Sequence, residues 1–248
     1  MQPLKAIFRA AQRDRLIAFN PCEGLRLPSV ERHEVVPLER DAVLALIEAL
    51  PERYRGLGIV GVGAGLRIGE ALGITVESVD FLRRQIRVTQ QISPSSKEAP
   101  HLVGPKTRAS RRTIPVGDFV LFGLSAHRER YEPGEFGLLF AMPDGSPIRR
   151  QRFGEVWRAA TGKARMPGTN FHMLRHTYAS LLIDAGESVK TVQARLGHAS
   201  AVETLNTYAH LWPDSEDRTR AAVDAVLRDA SCVRTVSRPV AVGTRSEV

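Results

Sequence analysis

His172, Arg175 and His176 fall within five residues, in the stretch "HMLRH", just where an apolar helical pattern begins. Leu174, Tyr178, Leu181, Leu182 and Ala185 recur at three- and four-residue steps, which predicts an amphipathic helix closed by Gly186. Three cationic or protonatable groups crowd the first turns of that helix, where the dipole favours negative charge. Such a cluster is suited to an anion. Four more residues stand in settings that could join it. Arg67 follows a glycine break in "GAGLRIGEAL" and opens a helix. Lys106 lies in "GPKTRASRRTIPV", between two strands. His198 sits in "LGHAS", at a helix end marked by Gly197, and Tyr208 comes ten residues later in "TLNTYAHLW". Each has a plainer reading. Arg67 alone is a surface arginine salt-bridged to Glu70, three residues on. His172 and His176 have the spacing of a metal pair, but no glutamate follows the first histidine and no third ligand is evident. Tyr54 and Tyr178 fall on apolar helical faces and read as core, and Tyr131 as surface or turn. Tyr208 falls on a short polar helix after a loop, where its hydroxyl can face outward; taken alone it is a partly buried helix tyrosine.

The bulk composition narrows the anion. Lys plus Arg number 35 against 27 Asp plus Glu, and the isoelectric point is near 10.1. A surplus of this size favours a polyanionic partner, most often nucleic acid. Cys22 and Cys232 lie near opposite ends of the chain, so neither a disulfide framework nor a cysteine zinc site is expected, and a reducing cytoplasm fits. The longest apolar stretch, "LGIVGVGAGL", is too short and glycine-rich to cross a bilayer. The first residues lack the continuous apolar core of a signal peptide.

The elements that must position these residues read as mostly helical. Residues 4–18 form a short helix, 29–37 an exposed linker, and 37–50 a helix with Val43, Leu44, Ile47 and Leu50 on one face, stopped by Pro51. A second helix covers about 53–62 and breaks at "GVGAG"; a short one follows at "LRIGEALGI". The period then changes. "RRQIRVTQQI" alternates as a strand and "RRTIPV" is its partner, with a polar connection between them, which gives a small antiparallel sheet. Ser146 is placed to cap, and Pro147 to begin, a helix in "GSPIRRQRFGEVWRAA". Three helices follow, at 169–186, 188–197 and 202–212, then a last one within 213–230 and a tail at 231–248.

Taken in order, Arg67, Lys106, His172, Arg175, His198 and Tyr208 resemble the tyrosine recombinases, the phage integrase family. Its pattern is Arg, Lys on a β-hairpin, His-x-x-Arg, His or Trp, then Tyr. "GLRIGEAL", "HMLRHTYAS" and "LGHAS…TYAH" carry the likeness, which runs from about Val36 to Leu227, and "K-T-x-x-S-x-R-x-I-P" singles out Lys106. The interval of 23 residues from Arg175 to His198 fits the family. The interval from His198 to Tyr208 is one longer than the commoner nine, an addition absorbed in "ASAVET".

This resemblance implies an α+β, mostly helical catalytic-domain fold with a small antiparallel sheet, acting on double-stranded DNA. The Tyr208 hydroxyl would attack a phosphodiester, forming a 3′-phosphotyrosine and freeing a 5′-hydroxyl; a second DNA end would then attack and rejoin. The bond energy stays in the covalent intermediate, so neither ATP nor a metal, nor any other cofactor, is expected. Arg67 and Arg175 would clamp the non-bridging oxygens with planar charged forks. His172 and His198 would donate hydrogen bonds or exchange protons, and Lys106 would protonate the leaving oxygen. Ionising a free tyrosine at pH 7 costs about 4 kcal/mol, which neighbouring cations reduce. Glu70 would orient Arg67, His176 would be a structural or hydrogen-bonding neighbour, and Arg108, Arg111 and Arg112 would touch backbone phosphates. The same resemblance makes residues 1–28 the last helix and linker of a core-binding domain otherwise missing, 29–230 the catalytic domain, and 231–248 a flexible tail. It implies a homotetramer on paired attachment sites, a monomer when free, accessory DNA-bending or directionality factors, and action on DNA in the bacterial cytoplasm. Competing readings are a DNA-binding remnant without efficient strand exchange, a type IB topoisomerase-like relaxing activity, and a metal-dependent phosphodiesterase.

Overall fold

A computed structural model describes residues 2–25, 34–93, 98–105, 107–212 and 216–227. The chain divides into two compact units, Met1–Glu34 and Val35–Val248. The first holds helix α1 (Gln2–Arg13). It stops short of the expected residue 18: Arg15 turns into the left-handed region at φ 57°, and the Asn20 side chain accepts the Cys22 N–H at 2.9 Å in a tight turn.

The second unit begins with α2 (Arg40–Ala49) and α3 (Glu52–Ala64). Pro51 forces Leu50 into extended backbone and so separates them. Val43, Ile47 and Leu50 are buried as the pattern predicts, but Leu44 is exposed and Leu46 takes its place in the core. Helix α3 is buried on nearly every face, and its glycines are the reason it can be. A Cβ on Gly58 would press on Ile47 and Leu50 of α2, and one on Gly61 would lie 2.8 Å from Leu174. One on Gly63 would overlap Val120. The expected break at residue 61 is therefore absent. Gly61 and Gly63 admit neighbours, and only Gly65, left-handed at φ 61°, ends the helix.

After α4 (Ile68–Leu72) the backbone turns to strands β1 (Val79–Asp80), β2 (Gln85–Val88), β3 (Gln91–Ile92), β4 (Leu102–Val103) and β5 (Arg112–Pro115). The expected pairing of β2 with β5 is present, antiparallel, with Ile86 opposite Ile114 and Val88 opposite Arg112. β1 extends that sheet, and β3 and β4 form a second small ribbon within the connection. Helix α5 (Asp118–Arg130) then appears where the sequence pattern predicts none. Its core contribution is only Val120, Leu124 and His127, while Phe119 and Phe122 are exposed and blur the apolar stripe.

Helix α6 (Arg150–Lys163) starts later than Ser146 and Pro147 suggest. The Ser146 hydroxyl and N–H both donate to Asp144, at 2.6 and 3.0 Å, and Pro147 bridges Ala141, so the segment is spent on a turn. Helices α7 (His172–Asp184), α8 (Val189–Leu196), α9 (Ala201–Tyr208) and α10 (Glu216–Leu227) complete the described fold. Helix α7 packs against α3 and α8 and buries Leu174, Tyr178, Ala179 and Ile183, whereas Leu181 and Ala185 face solvent. Phe171, just before it, stands edge-on to Phe153 and Trp157 of α6, with ring centroids 5.5 and 5.2 Å apart. Ser188 and Ser200 cap α8 and α9 by accepting the N–H three residues on. Among the described residues no helix is long and apolar enough to cross a membrane. Cys232, the expected tail and Lys106 lie outside the described residues.

Candidate active site

Gly65 delivers the chain to Arg67, which precedes α4 with extended backbone (φ −69°, ψ 150°). The Arg67 N–H donates to Glu70 Oε2 at 3.0 Å and its Nη1 to Oε1 at 3.1 Å. Arg112 reaches the same carboxylate from β5, Nη1 to Oε1 at 3.1 Å and Nη2 to Oε2 at 2.9 Å. Burial alone would raise the Glu70 pKa, but the hydrogen bonds and charges of Arg112 and Arg67 outweigh it and hold the carboxyl below its usual range. Glu70 therefore stays ionised and fixes Arg67, whose side chain keeps 34% of its surface open.

Arg112 departs from the expectation of a phosphate contact. It lies two residues before Ile114 on β5, so the pleat turns both side chains toward the interior. Its side chain is only 5% exposed, and it also donates to the carbonyls of Arg195 and Ser110. Its role is to brace Glu70. Arg111, on the opposite face, is exposed. Arg108 belongs to a short 3-10 turn, and its side chain lies outside the described residues.

On α7, Arg175 is 1% exposed and ties two helix ends together. Its Nη1 donates to the Gly65 carbonyl at 2.7 Å and its Nη2 to the Leu196 carbonyl at 2.5 Å. Desolvation, with Arg67 and Arg112 nearby, lowers its pKa to about 9, still cationic at neutral pH. One turn earlier, His172 is exposed, yet desolvation of its ring by the surrounding protein, with the neighbouring His176, Arg175 and Arg67, pushes its pKa down to about 4. The His172 and His176 rings meet edge-on at 4.7 Å.

His198 follows the left-handed Gly197 that ends α8 and is buried. Its Nδ1 pairs with the Thr204 hydroxyl at 2.9 Å, and its Nε2 lies 3.7 Å from Glu203. Burial and the charges of Arg175 and Arg67 push its pKa to about 3, so the ring is neutral at pH 7 and the Glu203 contact is no ion pair. Tyr208, expected to face outward, is 1% exposed instead. At the C-terminal end of α9 its ring turns into the core, and its hydroxyl lies 2.8 Å from His176 Nδ1. Burial pushes its pKa up to about 12, against the opposing pull of Arg175 and Arg67.

Arg67, Glu70 and His172 line a cleft of about 470 Å³ together with Gln91, Arg150 and Glu203. Arg175, His198 and Tyr208 are buried, and Pro105 and Thr107, either side of Lys106, also line the cleft. Arg150 was not singled out by the sequence, where nothing distinguishes it from Arg149 and Arg152. Its Nη2 donates to the Ile92 carbonyl at 2.7 Å, its guanidinium occupies the space a Cβ on Gly69 would fill, and its buried Nε has no hydrogen-bond partner. Among the described residues no group of three His, Cys, Asp or Glu side chains could hold a metal ion.

The family model of the phage integrases matches residues 37–214, a span that contains every group named above. The chain belongs to the phage integrase family. This integrase-family chain is 29% identical over 237 residues to a XerC-like tyrosine recombinase of Caldanaerobacter subterraneus subsp. tengcongensis, covering 85% of the chain and 61% of that relative. It is 25% identical over 239 residues to the ICEBs1 integrase of Bacillus subtilis, covering 92% of the chain and 64% of the relative. The chain thus spans under two thirds of the length of both. Among solved structures it resembles the Tn1549 transposon integrase in complex with circular intermediate DNA, with 25% identity and a TM-score of 0.73 over 90% of this chain and 76% of that one. The catalytic domain of bacteriophage HP1 integrase shares the fold, at 22% identity and a TM-score of 0.51 over 76% of this chain and 95% of that domain.

Proposed function

We propose that this chain is the catalytic part of a tyrosine site-specific recombinase that cleaves and rejoins double-stranded DNA without metal or ATP. The observation that carries the reading is the Tyr208 hydroxyl, hydrogen-bonded to His176 and lying within the field of Arg175 and Arg67, the second of which lines the cleft. Arg67, braced by Glu70, and Arg175 stabilise the charge that builds on the non-bridging oxygens. His172 and His198, both neutral at pH 7, donate hydrogen bonds to the phosphate. Lys106 protonates the leaving 5′-oxygen, and Arg111 and Arg108 meet flanking phosphates. Residues 29–230 are assigned as the catalytic domain and 1–28 as the end of a core-binding domain. A tetramer on paired attachment sites in the bacterial cytoplasm follows from the same reading, as do accessory DNA-bending or directionality factors. The relatives' names support DNA as partner, since the Tn1549 integrase is described in complex with DNA. A binding-only remnant is the second reading, favoured by the burial of Tyr208 to 1%.

The test is covalent trapping in EDTA with nicked suicide duplexes carrying candidate attachment sequences. A slow-migrating adduct on a denaturing gel, lost in Tyr208→Phe, is the expected result. Absence of adduct on DNA that the protein demonstrably binds selects the remnant reading, and activity abolished by EDTA selects a metal-dependent phosphodiesterase.

A further inference from the structure

His176 is the one ring in the cluster to which the chemistry above gives no step. It is half-buried on α7, with its Nδ1 2.8 Å from the Tyr208 hydroxyl and the two rings edge-on at 5.6 Å. Of the described hydrogen bonds, this is the one that the phenol makes. A buried hydroxyl proton needs an acceptor, and leaving it without one costs about 1–3 kcal/mol. If Nδ1 carried the hydrogen and donated, the phenol proton would be stranded in the interior. The arrangement that satisfies both groups has Tyr208 donating to an unprotonated Nδ1, with the ring hydrogen on Nε2.

The surroundings keep that ring neutral. His172 and Arg175 flank it on α7 and Tyr208 faces it from α9. His210, in the turn after α9, is directed to the Val35 carbonyl, and Arg195 of α8 to the Thr113 carbonyl. The stretch Gly61–Ala64 of α3 carries no titratable side chain. Burial and Arg175 both lower the His176 pKa. The other histidines are engaged elsewhere: His198 spends Nδ1 on Thr204, and His172 meets the His176 ring.

We propose that His176 is the proton acceptor for the Tyr208 nucleophile, holding the phenol proton at rest and taking it as the tyrosine oxygen bonds to phosphorus. The inference rests on the recombinase reading and adds a catalytic residue to it. As attack proceeds, the Tyr208 O–H bond breaks and its proton passes to Nδ1, forming an imidazolium. The freed oxygen pair forms the O–P bond, the bond from phosphorus to the 5′-oxygen breaks, and that oxygen takes a proton from the general acid assigned to Lys106. Rejoining runs the same transfers backwards, and His176 returns the proton to Tyr208.

Two measurements on the full chain test this. In DNA-free protein with nitrogen-15-labelled histidine, NMR should show His176 at pH 7 with Nε2 protonated and Nδ1 bare, and Tyr208→Phe should shift the Nδ1 resonance. A hydrogen on Nδ1 overturns the proposal. The second reads the rate of adduct formation against pH. The wild-type rate should climb from acid pH and level off below the ordinary imidazole range, as the His176 ring, whose pKa is lowered, becomes free base. His176→Gln keeps an acceptor that takes no proton, so cleavage should slow by about 10²–10⁴-fold and keep rising with pH beyond neutrality. 3-Fluorotyrosine at position 208, with a more acidic phenol, should restore more of the rate in that variant than in wild type. His176→Asn serves if the glutamine variant does not fold. A variant with the wild-type rate and profile overturns the proposal while leaving the recombinase reading intact. A wild-type chain that forms no adduct on DNA it binds overturns both.

Discussion

Glu70 holds two arginines, and the two pairings differ in what they do. The Arg112 side chain is 5% exposed, so removing its carboxylate strands a buried charge, whereas Arg67 is 34% exposed and loses little by solvation. Glu70→Ala should therefore cost about 3–5 kcal/mol in denaturant unfolding. Arg67→Ala should cost less than about 1 kcal/mol yet abolish the DNA adduct. Equal stability losses would contradict this division. The histidines set a pH dependence of definite sign. His198 has a folded pKa of about 3 against an ordinary value of 6.5. Below pH 6.5 the unfolded chain takes up a proton that the folded chain refuses, so stability falls as pH drops from 6.5 towards 3, by up to about 1.4 kcal/mol per unit. His172, pushed down to about 4, acts in the same direction. Glu70, also lowered, adds stability that begins to be lost once pH falls below its ordinary value of 4.5, in the same direction. Unfolding measured between pH 7 and 5 should show a shallower slope in His198→Gln than in wild type, and an unchanged slope would be wrong for this account. At this scale the order and residue types were legible in the sequence, because helix spacing carries them. The inward turn of Arg112 and the burial of Tyr208 were not, because a strand's inner face and a helix's packed face are decided by the partner that covers them.

The elements act as holders whose ends carry the site. Gly65 ends α3 in the left-handed region against the Tyr178 ring, and its carbonyl accepts Arg175. Gly65→Ala should lose about 1–2 kcal/mol from the backbone alone, and more from the collision with Tyr178. It should also slow adduct formation by moving Arg175, a loss that a substitution at exposed Leu181 should not produce. Calorimetry beside the gel assay separates the two effects. The β2–β5 pairing and helices α7, α8 and α9 were legible as elements, from strand alternation and from the Ser188, Gly186 and Gly197 signals that bound them. Helix α5 was not, since Phe119 and Phe122 break its apolar stripe. The full length of helix α3 is not legible because its glycines look like a break, while in the fold they admit α2, α5 and α7 at close range.

For the whole molecule, the net charge of +8 and the arginines Arg67 and Arg150 in the cleft wall fit the recognition of a phosphate backbone. DNA affinity should fall steeply with salt, and Arg111→Gln should reduce the slope of log affinity against log salt by about one. Arg150→Gln should weaken binding as well, since its guanidinium stands in the cleft wall with an unpartnered Nε. Both are read by titrating labelled duplex at several salt concentrations. The central claim is that Tyr208 attacks DNA, and the most direct measurement is to digest the trapped adduct and locate the bound nucleotide by mass spectrometry. The account predicts a 3′-phosphate esterified to Tyr208, and no modified peptide from Tyr208→Phe. A nucleotide on any other residue, or a 5′-phosphate at this one, would contradict it.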